Sequence, residues 1–194
     1  MERMVIMIGM VLSLALPTLA QNNGEVGAYG DYSRLGSGNS ATDYVGIGGR
    51  VGVNVTSAVV LEAEMNYDFA RNVTSTNSNG GSTSFAETSV RPLTGLFGPK
   101  LQVGGARAFR AFITGKAGFI NFGTSTSGAV SGTTFTNSVT GVGGSGTYLA
   151  FYPGGGVEGF LGPIGLRLDA GDEIYMDNGA HNNLRVTFGP TIRF

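Results

Sequence analysis

The sequence predicts an all-β protein: an eight-stranded antiparallel up-and-down transmembrane β-barrel with short periplasmic turns and long extracellular loops. Three observations carry this expectation. Apolar residues alternate with polar residues or glycine from Gly24 to the C-terminus, the period of strands that separate two environments. The connections between these runs alternate in length. Only 13% of the residues are charged, against roughly 25% in ordinary soluble domains.

Residues 1–20 read as an export signal peptide. Arg3 stands near the start, an apolar stretch runs from Met4 to Leu16, and Pro17 precedes the small-residue end Thr18-Leu19-Ala20, after which cleavage is expected. The apolar run is shorter than the ~20 residues of a spanning helix, and nothing later is long enough to be one. Residues 21–194 then form one barrel domain. With no cysteine, the chain has neither disulfides nor thiolate metal sites. A formal charge of −1 offers no basic field, so nucleic acid is not an expected partner.

The strands are read in order. Val26, Ala28 and Tyr32 oppose Glu25, Tyr29 and Asp31. Val45, Ile47, Val51 and Val53 oppose Gly46, Gly48, Arg50 and Asn54. Val59, Leu61, Ala63, Met65, Tyr67 and Phe69 oppose Glu62, Glu64, Asn66 and Asp68. Phe97, Leu101 and Val103 oppose Lys100 and Gln102 in the fourth strand. The fifth, about Ala108 to Phe122, is divided: Phe109, Ala111, Ile113 and Phe119 oppose Arg110 and Lys116, yet Phe112, Ile120 and Phe122 share the parity of the charges. Leu149, Phe151 and Val157 oppose Glu158, and Ile164, Leu166, Leu168 and Ala170 oppose Arg167 and Asp169. The last strand is the cleanest, with Leu184, Val186, Phe188, Pro190, Ile192 and Phe194 against Arg185, Thr187, Gly189, Thr191 and Arg193. Long connections are expected near Leu35–Asp43, Arg71–Thr88, Thr124–Gly146 and Met176–Asn183. Short ones are expected near Thr56–Ala58, Gly104–Arg107 and Phe160–Pro163.

The polar face combines a few charges with many small residues, which suits a narrow interior better than a hydrated exterior. Arg50, Lys100, Lys116 and Arg167 are therefore expected inside, neutralised by Glu62, Glu64, Glu158 and Asp169 in a filled lumen without an open pore. A one-residue register slip turns those four cations to lipid at a cost on the order of 5–10 kcal/mol. Pro99, Pro153 and Pro190 lie on the apolar parity and, lacking N–H donors, are expected to mark bulges or weak points in the ladder. Tyr32, Tyr67, Phe69, Tyr148, Phe151 and Tyr175 fall near the loop ends of their strands, as an interfacial aromatic girdle requires.

The C-terminus resembles the assembly signal of bacterial outer-membrane proteins, with Thr187, Gly189, Ile192 and Phe194 in its polar, glycine and two hydrophobic places. Ile192 departs from the commoner aromatic. With the signal peptide and eight alternating runs, the whole mature chain resembles the small OmpA/OmpX-like barrel family. The resemblance implies residence in the outer membrane of a bacterial cell, among outer-membrane lipids, after insertion by the barrel-assembly machinery. Because the sequence stops at Phe194, the separate peptidoglycan-binding domain that larger relatives carry is not expected. It does not fix an activity, because such barrels include stabilisers, adhesins and lipid-modifying enzymes.

Catalytic candidates are few. His181 is the only histidine, and Asn183 stands where the deacylase-like pattern of this barrel class has a serine. One histidine is too little for a zinc site. Glu62 and Glu64 share one strand face rather than straddling a cleft. Gly171 splits the acids between Asp169 and Glu173, so no EF-hand-like calcium loop is formed. The glycine pairs and triplets lack the Gly-Lys-Ser/Thr of a phosphate cradle. The expectation is a non-enzymatic envelope protein without cofactors, structural or presenting loops to an unknown extracellular ligand. A lipid-modifying rim enzyme and a narrow solute channel are the alternatives.

Overall fold

The computed structural model describes residues 23–36, 41–79, 82–104, 108–128 and 146–194. The predicted signal peptide lies outside them, as do parts of four predicted connections. Among the described residues nine strands are formed: β1 (Gly24–Leu35), β2 (Thr42–Asn54), β3 (Val59–Asp68), β4 (Arg71–Asn79), β5 (Ser82–Val103), β6 (Phe109–Gly128), β7 (Gly146–Leu161), β8 (Ile164–Met176) and β9 (Ala180–Arg193). Every pairing is antiparallel. Eight strands close the barrel in the order β3-β2-β1-β9-β8-β7-β6-β5, with β5 returning to β3. Closure pairs every barrel strand on both sides and so removes the exposed sheet edge that invites aggregation.

The ninth strand corrects the reading of Arg71–Thr88 as an irregular loop. β4 pairs with the first part of β5, from Arg71↔Val90 to Asn79↔Ser82, while β6 follows β5 on its other side as far as Ala86↔Gly128. A sheet thus rises above the barrel rim. Ser and Thr in this stretch suggest loop by composition, but Thr and Val tolerate extended backbone, and a neighbour on each side satisfies the β5 main chain.

Met176–Asn183 is corrected in the same sense. β8 continues to Met176 and β9 starts at Ala180, leaving a tight turn in which Asn178 (φ 50°) and Gly179 (φ 152°) both have positive φ. Asn-Gly accommodates that geometry, and it matches the twist of the flanking strands. At the opposite end, the Thr56 hydroxyl accepts the N–H groups of Ala58 and Val59 at 3.2 and 3.0 Å, and Gly162 (φ 67°) turns the chain into β8.

The three prolines interrupt the ladder without bulging it. Pro190 keeps its pairing with Leu166 on β8, while the β1–β9 ladder runs Gly27↔Thr191 and then Gly30↔Phe188 in the same register. Pro153 likewise keeps Gly115 on β6 and leaves a gap toward β8, and Pro99 keeps Leu61 on β3 and leaves a gap toward β6. A missing N–H removes one bond on one side. It inserts no residue, so the prolines mark weak points in the ladder, as one of the two expected outcomes has it, and not bulges.

Candidate functional site: the charged lumen

Strand alternation sends one set of side chains to the outer wall and the other to the lumen. The outer wall is apolar: Ile47, Phe97, Phe109, Ile113, Leu166 and Phe188 are among its exposed residues. Inside, six cations (Arg50, Lys100, Arg110, Lys116, Arg167 and Arg185) are buried with the carboxylates that face them.

The pairs form one connected network. Lys100 Nζ lies 2.6 Å from Glu25, 2.8 Å from Glu158 and 3.3 Å from Glu62. Arg167 forks across both oxygens of Glu62 and donates to Asp169 at 2.6 Å. Lys116 bridges Glu62 at 3.0 Å and Glu64 at 2.6 Å. Arg50 Nη1 approaches Asp169 at 3.5 Å, and its Nη2 donates to the Thr187 hydroxyl at 2.9 Å. All eight charged residues singled out from sequence are therefore in one lumen network. Glu62 is its centre, facing three cations from β5, β6 and β8.

The network is larger than those eight. Glu25 and Arg110 join it at 2.9 Å near the turn end, and Arg185 is held by Asp31 at 2.8 Å, Glu64 at 2.9 Å and Glu173 at 3.3 Å nearer the loop end. Their parity was the available signal, since each lies on the side of its own strand opposite the apolar residues. Asn66 closes the upper part by donating to Asp31 and Asp68, both at 3.1 Å.

The divided parity of the fifth predicted strand is resolved here. Phe112 belongs inside because Arg167 stacks over its ring at 4.0 Å and Lys100 approaches at 5.4 Å. A ring face supplies negative potential without an additional desolvated charge. Ile120 and Phe122 are fully buried for a different reason: they join Leu35, Tyr44, Val90, Tyr152 and Tyr175 in an apolar plug at the loop end. Two of the residues expected in an outer girdle are part of this arrangement. Tyr175 is completely buried and Tyr148 packs against the plug, whereas Tyr32, Tyr67, Phe69 and Phe151 do face outward. At the turn end Phe160 is clasped between Arg110 at 4.4 Å and Arg193 at 4.3 Å. Among the described residues, side chains thus occupy the lumen at its turn end, its centre and its loop end.

The C-terminal residues divide between the faces. Thr187 and Gly189 point inward, Ile192 is on the outer wall, and Phe194 exchanges two backbone hydrogen bonds of 2.9 Å with Gly24. A Cβ on Gly189 would lie 2.1 Å from the Ala28 carbonyl oxygen, so β9 approaches β1 too closely for any side chain. Gly189→Ala is expected to destabilise the assembled barrel by about 1–3 kcal/mol through forced backbone displacement, measured as the urea midpoint of refolded protein. An unchanged midpoint refutes that packing role.

His181 stacks on Tyr175 with ring centroids 4.8 Å apart, and its Nε2 lies 2.9 Å from the Asp177 carbonyl oxygen. This ties the ring to the β8–β9 turn. Among the described residues, no group of three or more His, Cys, Asp or Glu side chains is arranged to hold a metal ion.

No protein-family model matches the sequence, and no curated protein matches it. The fold does have solved counterparts. The attachment invasion locus protein Ail of Yersinia pestis is similar with a TM-score of 0.57 and 12% identity, over 90% of this chain and 100% of that one. Neisserial surface protein A is similar with a TM-score of 0.51 and 9% identity, over 88% of this chain and 97% of its own. At these identities the likeness is one of fold: this chain has the closed eight-stranded architecture of small outer-membrane barrels.

Proposed function

We propose that the chain is a non-enzymatic outer-membrane β-barrel of a bacterial cell, structural in the envelope and displaying its raised hairpins outside, with residues 1–20 as its export signal. The observation that supports this most is the inverted distribution of polarity. Six cations and their carboxylates occupy the centre, while Val, Leu, Ile and Phe cover the outside. Water outside would favour the reverse arrangement, because desolvating a charge costs several kcal/mol and exposing an apolar wall costs about 25 cal/mol per Å². Lipid outside removes the second cost, and the ion network offsets the first.

The filled lumen favours a structural role over a channel. Ion pairs join the strands across the centre, and Phe160 and the Phe122–Tyr175 plug obstruct the two ends. Membrane fractionation tests the reading, combined with gel migration of unboiled against boiled protein. An outer-membrane band whose mobility changes on boiling is expected, because a closed lipid-embedded barrel resists SDS until heated. A soluble periplasmic protein without that shift overturns the proposal. Inserted into planar bilayers, the barrel is expected to give no conductance steps. Regular steps abolished by a bulky substitution in the lumen would establish a channel instead.

A further inference from the structure

The ion network does not balance. Eight carboxylates are buried with the six cations, and the two surplus negative charges are not spread evenly. Asp31, Asp68 and Glu173 lie toward the loop end, where Arg185 pairs with Asp31 at 2.8 Å and with Glu173 at 3.3 Å. Arg185 is shared further with Glu64 at 2.9 Å. Among the described residues no cation pairs with Asp68, which accepts the Asn66 amide at 3.1 Å. The other five cations meet five carboxylates nearer the centre and the turn end. Arg34, Arg71 and Arg91, the remaining loop-end arginines, are exposed rather than buried with the acids.

The backbone brings two of these acids together. Asp31 on β1 and Asp68 on β3 belong to strands that are not neighbours, with Gly46 of β2 between them in one row of the ladder. A Cβ on Gly46 would collide with Asp68 Oδ1, so the missing side chain lets that carboxylate lie across β2. The Asn66 amide nitrogen is 3.1 Å from both Asp31 Oδ2 and Asp68 Oδ1. Two neutral oxygens stand beside the pair. Asn66 Oδ1 and Ser33 Oγ are buried without a hydrogen-bond partner, and each residue is 2% exposed. Ser33 shares the inward face of β1 with Asp31, two positions away, and is opposite Arg185 in the β1–β9 ladder. A half-turn of the Asn66 amide exchanges its nitrogen and oxygen. It then places a third oxygen where the two carboxylates already converge.

We propose that Asp31, Asp68, Asn66 and Ser33 hold one hard divalent cation of the calcium class at the loop end of the lumen. Two features select this ligand. Its charge equals the local surplus, which a buried water molecule would leave uncompensated. Its preferred partners are oxygens in flexible geometry, carboxylate and amide oxygens among them, with water completing the shell. The set combines two carboxylates with two neutral oxygens, so it does not require three acidic ligands around one point. Glu173 adds negative charge from the second row, held by Arg185 and by the Thr94 hydroxyl at 3.3 Å. An ion bound there ties β1 to β3 across β2, beside the Tyr44 end of the apolar plug.

Full-length protein folded at neutral pH into nonionic detergent micelles tests this, in calcium and in chelator at equal ionic strength. In equilibrium dialysis the wild type is expected to bind about one calcium more than Asp68→Asn, as a site for a single ion requires. Calcium should also raise the urea midpoint of the wild type, read by mobility of unboiled protein, because only the folded barrel assembles the site. Asp68→Asn should lose that calcium response while its midpoint in chelator equals or exceeds the wild type's. The substitution removes a charge that no described cation faces and keeps an oxygen in place. A carboxylate with a merely structural role would instead lower the midpoint in calcium and chelator alike, and that result overturns the proposal. Equal calcium binding by the two proteins overturns it, as does a wild-type midpoint that sodium raises as much as calcium. So does a midpoint that answers to pH but not to calcium, the mark of surplus charge neutralised by protons. The measurement needs the barrel and no bilayer, so its outcome is independent of the membrane reading.

Discussion

Glu62→Gln is expected to lower the stability of the folded barrel by about 3–5 kcal/mol, the range observed when one partner of a buried ion cluster is removed. Glutamine keeps the size of the side chain and one carbonyl oxygen but loses the charge facing Arg167, Lys100 at 3.3 Å and Lys116 at 3.0 Å. Those three cations remain desolvated in a space already filled by Phe112 and Val60. They cannot turn outward, because alternation leads only into the apolar wall. Glu25, Glu64, Glu158 and Asp169 still contact members of the trio, and this residual compensation sets the lower end of the range. Urea titration of barrel folded in detergent micelles, followed by gel mobility, supplies the measurement. Removing the exposed Arg34–Asp43 pair by Arg34→Ala is the control and should change stability by less than about 1 kcal/mol. A loss below 1 kcal/mol for Glu62→Gln would mean that the network is not a stability determinant.

Leu168→Arg is expected to cost about 2–4 kcal/mol in a bilayer, whereas Leu161→Arg should cost about 0–1 kcal/mol. Leu168 lies mid-strand in β8 between Val157 and Phe188 and faces outward. Leu161 ends β7 at the turn and is 90% exposed. Both substitutions add the same charge to the same wall, so their difference measures depth in lipid rather than chemistry. A barrel surrounded by water would tolerate both within ~0.5 kcal/mol. Equal, small effects measured in vesicles would therefore return the apolar exterior to the status of an unexplained surface.

Pattern in the sequence determined which face each strand residue joins. The alternation of Arg167 and Asp169 with Leu166 and Leu168, and of Glu62 and Glu64 with Leu61 and Met65, is a local property. Consecutive side chains point to opposite sides of extended backbone whatever the rest of the chain does. The same logic already placed Tyr175 inward, since it shares the parity of Arg167 and Asp169. Its position near a strand end suits an outer girdle, but parity decides the direction of the side chain. Phe112, Ile120 and Phe122 were likewise legible as inward. Their hydrophobicity conflicts with a polar interior only until the cations and the plug around them are located.

Tertiary structure alone decided the contacts across the lumen and the reach of the strands beyond it. Glu62 and Arg167 are 105 positions apart, and their bidentate meeting depends on how eight registers accumulate around a closed circuit. No window of sequence contains that sum. The raised β4–β5–β6 sheet and the Asn178–Gly179 turn lay in stretches whose composition resembles loop. Whether such residues extend depends on a neighbouring strand being present to satisfy their N–H and C=O groups. Local periodicity thus determined inside from outside, while barrel closure determined which interior charges became partners, because side-chain direction is a property of single strands and proximity across the lumen is a property of all of them together.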